Sequence, residues 1–177
     1  MNKYLFVFSL ICFLTFSCVS TNNEVSSETK PQTTSNIDDA EYKRSIKDLN
    51  GSSVSQDTFN ADKKDILKII SELNIIMKQR NFVTWQTYVE PNSVKYWSNR
   101  TNLAKIEDRI PGKNKLNTLE DYFNFVFIPS RIGKRIDEIR YVSSTSIKAV
   151  QIDGDSTIVY YNFNKIKDKW MVVIPKL

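Results

Sequence analysis

The apolar residues of this chain change their period once, near Arg135: they recur at helical spacing before it and alternate after it. No other feature constrains the fold as strongly. A period of 3.6 gathers apolar side chains on one face of a helix, and a period of 2 gathers them on one face of a strand. Helices first and strands last make an α+β domain, with N-terminal helices packed on an antiparallel sheet.

The clearest helical stripe holds Ile66, Ile69, Ile70, Leu73, Ile76 and Met77, with Lys64, Lys68, Glu72, Lys78 and Gln79 outside it. Asn60 or Asp62 is placed to cap its start. Burying those six side chains contributes roughly 9–18 kcal/mol before entropy is charged against it, so this helix is the keystone of the core. Phe82, Trp85 and Val89 continue at helical spacing up to Pro91, which stops the segment because the residue before proline avoids helical dihedrals. Asn92–Ser98 can form a further turn. Asn102–Ile110 reads as a short amphipathic helix. Thr118 and Asp121 resemble a capping box that opens a helix with Leu119, Tyr122, Phe123, Val126 and Phe127, closed by Pro129.

Beyond Arg135, four strands are expected at Ile136–Ser143, Ser146–Ile152, Thr157–Ile166 and Lys169–Pro175. Asp153-Gly154 is a hairpin signal between alternating runs, and Lys167-Asp168 can turn the next pair.

The N-terminus carries a different message. Lys3 precedes thirteen residues, Tyr4 to Phe16, without a charge. A basic start and an apolar run of this length are a secretory leader, too short for the roughly 20 residues a membrane-spanning helix needs. The run ends Leu14-Thr15-Phe16-Ser17-Cys18, which resembles the bacterial lipoprotein box in its relaxed, spirochaete-like form. That resemblance makes residues 1–17 a signal peptide and Cys18 the lipid-bearing first residue of the mature chain. Cys12, the other of two cysteines, leaves with the leader, and acylation accounts for an otherwise unpaired Cys18. Residues 18–59 are polar, with apolar residues scattered and aperiodic. Such a segment reads as a disordered tether, with a short helix over Asp38–Leu49 the one element it suggests. Residues 60–177 then form a single α+β domain.

Residues 18–60 carry four basic and seven acidic side chains, and residues 61–177 twenty and thirteen. A basic domain on an acidic tether can favour anionic surfaces, but no run is dense enough for a polybasic site, and no nucleic-acid partner is expected.

The order of elements in residues 60–177 resembles the cone fold of nuclear transport factor two and SnoaL-like proteins. The closing hairpin, IVYYNFNKIKDKWMVVIP, is similar to the last hairpin of that superfamily. The resemblance implies a curved four-stranded meander wrapping the helices around a pocket, with Trp85, Tyr88, Tyr96, Trp97, Tyr122 and Tyr141 as candidates to line or close it. Core packing is the plainer reading of each. The whole chain also resembles uncharacterised lipoproteins of spirochaetes, which lend no activity.

The chain has no histidine. Its absence removes the usual general base near neutral pH, the nucleophile-activating triads and most zinc sites. No phosphate-binding glycine loop or calcium loop occurs, and neither a metal nor a cofactor is expected. Two functions stay open. One is a lipid-anchored envelope protein whose domain binds a small apolar ligand or an envelope protein. The other is a small acid/base enzyme using Tyr122 or Tyr141 as donor and Asp121 or Glu138 as base. A buried carboxylate at a pocket floor would separate them.

Overall fold

The computed structural model describes residues 32–49, 53–110, 112 and 114–177. The expected leader, Cys18 and the first part of the expected tether lie outside these residues.

The α+β order is as expected, and the four strands fall within two residues of their expected bounds. They are β1 (Glu138–Ser143), β2 (Ser146–Asp153), β3 (Ser156–Ile166) and β4 (Lys169–Val173), joined as an antiparallel meander in the order β1-β2-β3-β4. Both central residues of the last turn have positive φ, 47° at Lys167 and 63° at Asp168, which suits the right-handed twist of the strands it joins. Alternation sets the core face. Tyr141 stands opposite Ile147, and Ile147 opposite Phe163; Ile139 stands opposite Ala149, and Ala149 opposite Tyr161. Trp170 and Val172 extend this face from β4, opposite Lys165 and Phe163. A register shift between Ala149 and Val150 leaves Tyr160 as an extra residue on β3.

Among the described residues, seven α-helical segments precede the sheet. The keystone helix, α2, spans Gln56–Lys78 and buries Ile66, Ile70, Leu73, Ile76 and Met77, with Ile69 partly covered. Its cap is Ser55, which accepts from the Thr58 amide at 3.1 Å, rather than Asn60 or Asp62. The helix therefore starts earlier than its apolar stripe suggests, and Phe59 and Asp62 extend the buried face.

A helix also stands where the expected tether lay. In α1 (Gln32–Ser45), Tyr42 packs its ring 5.6 Å from Phe59 and donates its hydroxyl to the Val54 carbonyl at 2.7 Å. Glu41 pairs with Lys63 and Arg44 with Glu138, both at 2.6 Å. The expected boundary at residue 60 thus cuts through packed structure. The contacts holding α1 are polar and singly aromatic, so no apolar period announces them.

Helix α3 (Phe82–Gln86) ends before Val89, and Tyr88–Glu90 instead lies against β4. Val172 donates to Tyr88 O at 2.8 Å, and its carbonyl accepts from Glu90 N at 2.9 Å. Pro91 opens α4 (Pro91–Trp97), where a missing amide costs nothing. The expected Asn102–Ile110 helix is divided into α5 (Arg100–Ala104) and a 3₁₀ turn at Glu107–Arg109. The capping box of Thr118 and Asp121 opens α6 (Leu119–Tyr122). Phe123–Phe127 then widen into a π-turn, and α7 (Ile128–Arg131) carries the chain past Pro129. The proline does not close this segment because it falls in the first turn of α7, a position that tolerates it.

Candidate functional site

Two of the groups of polar atoms inside the domain differ in whether they have partners. The first centres on Asp62. Its Oδ2 accepts from the Tyr141 hydroxyl at 2.8 Å, and its Oδ1 from Trp170 Nε1 at 3.0 Å and Lys165 Nζ at 3.1 Å. α2 supplies the acid and β1, β3 and β4 the donors, so this one buried carboxylate ties the keystone helix to three strands. Burial first, and then the bond to Asp62, hold the Tyr141 hydroxyl well above the usual phenol range. The phenol therefore keeps its proton. Asp62, expected only as a cap, precedes Ile66 by four residues and so lies on the buried face of α2.

The acids proposed for catalysis are occupied in similar ways. Asp121 accepts from the Asn117 and Thr118 amides at 2.9 Å each. Glu138 is buried and paired with Arg44 at 2.6 Å and Arg140 at 3.3 Å.

The second group lies among α3, α4, α6, the π-turn, α7 and β3. Trp85 packs 4.8 Å from Phe123 and 5.0 Å from Phe127. Phe127 meets Tyr161 edge-on at 6.3 Å, and Trp97 stacks on Tyr122 at 4.8 Å. Trp85, Trp97, Tyr122 and Tyr161 are all 5% exposed or less. Trp85 Nε1, Trp97 Nε1 and the Tyr161 hydroxyl have no hydrogen-bond partner among the described residues. Burial pushes the Tyr161 phenol up to about 12, and Tyr122 in the same direction, so both stay protonated.

Arg131, at the end of α7, completes this group. Its guanidinium stacks 4.2 Å from the Phe127 ring centre and 5.6 Å from that of Tyr161. Nε donates to the Tyr160 carbonyl at 2.9 Å and Nη1 to Ser130 Oγ at 2.8 Å. No carboxylate among the described residues pairs with it. The residue is half-buried, and that burial lowers its basicity. The π-turn sets this geometry. An extra residue in one turn rotates the helix beyond it, and such turns occur often at functional sites.

Of the six aromatic residues expected to line one pocket, Tyr96, Trp97 and Tyr122 pack together, with Tyr96 5.2 Å from Trp97, while Trp85 packs on Phe123 and Phe127. Tyr88 and Tyr141 stand elsewhere. Tyr88 borders a groove of about 540 Å³ between α2 and the β3–β4 turn, with Lys68, Ile69, Glu72 and Trp170. Tyr141 borders one of about 310 Å³ with Arg140, Val142 and Lys148, and Tyr96 one of about 370 Å³ with Lys95 and Lys176. Sequence reasoning did not single out Tyr161, Arg131 or Asp62 as site residues. The available signal for Tyr161 was a hydroxyl on the buried alternation, two residues from Phe163.

Among the described residues, no helix is long and apolar enough to cross a membrane. The chain is similar to a protein of Treponema pallidum (strain Nichols) named as an uncharacterised lipoprotein, with 26% identity over 121 residues. The match covers 68% of this chain and 65% of that protein, so less than two thirds of the relative's length is spanned. No family model matches the chain, and no solved structure matches it.

Proposed function

We propose that this chain is a lipid-anchored protein of the bacterial cell envelope whose domain binds a small, largely apolar ligand at the aromatic cluster of Trp85, Trp97, Tyr122 and Tyr161. The anchor is Cys18, which Ser17 separates from an apolar run of leader length. The lipoprotein name carried by the similar Treponema protein supports the same reading.

One observation carries the binding reading: three buried donors, on Trp85, Trp97 and Tyr161, lack acceptors among the described residues. Native interiors leave few polar groups unanswered, and a ligand site needs an apolar surround with a few such groups. Catalysis draws less support, because Asp121 and Glu138 are already engaged by backbone amides and arginines.

The anchor is tested by expressing the wild type and Cys18→Ala, comparing their membrane partition and weighing the mature chains. The expected result is acyl mass on the wild type and release of the variant. Equal membrane retention, or a wild-type mass without acyl groups, contradicts the anchor. Titrating the carboxylates by NMR tests the choice of binding over catalysis. A carboxylate titrating above about pH 6, outside the usual range, would overturn it.

A further inference from the structure

We infer that the outer face of the sheet carries a second binding site, for a small amphiphilic anion whose acidic head sits between Arg140 and Lys148 and whose apolar body lies over Val142, Val150 and Val159. None of these residues belongs to the aromatic cluster, so the inference goes beyond the binding reading above and does not rest on it.

The strand register sets up the charge. Arg140 on β1 stands directly opposite Lys148 on β2. Like charges facing each other across a strand pair are destabilising, and no carboxylate among the described residues pairs with Lys148. Glu138, two residues before Arg140 and so on the same face, is buried and shared between Arg44 at 2.6 Å and Arg140 at 3.3 Å. Two arginines on one glutamate leave a positive charge over, and Lys148 adds another. Asp48, which borders the same groove, offsets one of them. Arg140 is held without being saturated. Its Nη2 donates to Glu138 and its Nη1 to Thr157 Oγ1 at 3.1 Å, while its Nε is buried without an acceptor among the described residues. An arginine has donors only, so what this row of residues lacks is an anion.

Space for one is present. Arg140, Val142, Lys148, Val150 and Val159 border a groove of about 310 Å³, at the lower end of the roughly 300–1,000 Å³ typical of small-ligand pockets. Val150 stands opposite Val159, and Val142 and Val159 are 50% and 43% exposed. A bare inorganic anion would leave these valines wet. A neutral hydrocarbon would leave the facing cations unrelieved. A molecule with one acidic head and a short apolar body answers both, and the Glu138 and Thr157 bonds hold the guanidinium in place before it arrives.

The test titrates the full chain carrying Cys18→Ala with hexanoate, 1-hexanol and acetate, read by backbone amide and methyl shifts in NMR. Hexanoate should bind at least about tenfold more tightly than either other probe, because it alone joins the charge to the apolar body. The shifts should centre on Val142, Lys148 and Val159. Lys148→Glu, at an exposed position, places a carboxylate opposite Arg140. It should raise the denaturation midpoint and weaken hexanoate at least about tenfold while leaving hexanol unchanged. Val159→Ser, also exposed, should weaken hexanoate and hexanol alike by about threefold. Hexanoate binding no tighter than hexanol or acetate, binding or a midpoint unchanged in Lys148→Glu, or hexanoate undiminished in Val159→Ser overturns the site. Shifts centred on the Trp85 and Trp97 indoles would overturn it too, and would leave the aromatic-cluster reading standing alone.

Discussion

Two polar regions of this domain share buried tyrosine and tryptophan and are finished differently. Around Asp62, a tyrosine, a tryptophan and a lysine all converge on one carboxylate. Around Arg131, two tryptophans, two tyrosines and an arginine gather with no carboxylate among them. In the first region polar burial is structural, because every donor is answered and helix is tied to sheet. In the second the donors are desolvated without return, a cost that stability alone does not explain. A burial pattern without hydrogen-bond partners would not distinguish the two, since Tyr141 and Tyr161 are each 1% exposed.

The largest effect should come from emptying the answered region. Asp62→Ala leaves Tyr141, Trp170 and Lys165 facing no acceptor and should cost about 3–5 kcal/mol in a urea melt, the range for removing one partner of a buried charged pair. A loss below about 1 kcal/mol would mean that the hub does not hold α2 to the sheet.

Next come the two faces of α2. Leu73→Ala removes a fully buried side chain and should cost about 2–5 kcal/mol. Lys68→Ala, on the exposed side, should stay within about 0.5 kcal/mol. Similar losses from both would dissolve the distinction between core and solvent faces.

Alkaline pH probes both regions at once, with a smaller effect from each group. Tyr141, Tyr161, Tyr122 and Tyr88 all hold their protons more tightly in the fold than the ordinary phenol value of 10.0. The unfolded chain therefore releases these protons first. Their contribution is fully present below pH 10 and is lost as pH rises through the folded values, about 12 for Tyr161. Chemical denaturation should show a decline in stability beginning near pH 10, shallower in Tyr161→Phe. A phenol absorbance titration in which every tyrosine ionises near 10 would contradict this.

Much of the framework was legible in the sequence, because period and turn chemistry are local. The Ile66–Met77 stripe located α2, alternation located all four strands, and Lys167-Asp168 marked the last turn. What was not legible depends on pairing across the chain. Asp62 passed for a cap because an acid near a helix start is usually one. α1 was legible only as the short helix suggested over Asp38–Leu49, because Glu41, Tyr42 and Arg44 are held by Lys63, Val54 and Glu138, and no pattern within α1 encodes those partners. The π-turn was hidden because Phe123, Val126 and Phe127 fit an ordinary helical stripe equally well. Arg131 lay beyond a proline expected to end its helix. The site was therefore the least legible part: its aromatics read as core, and its distinguishing property is the absence of partners.

The two regions differ in one respect that a pair of substitutions measures directly. Tyr141→Phe and Tyr161→Phe remove the same atom from side chains equally buried, one answered by Asp62 and one unanswered. In parallel denaturant melts, Tyr141→Phe should lose about 1–3 kcal/mol, because Asp62 loses a donor. Tyr161→Phe should stay within about 0.5 kcal/mol of the wild type or gain stability, because a desolvated hydroxyl is removed without breaking a bond. Equal losses from the two substitutions would show that the Tyr161 hydroxyl is already satisfied, and the contrast between the two regions would not stand.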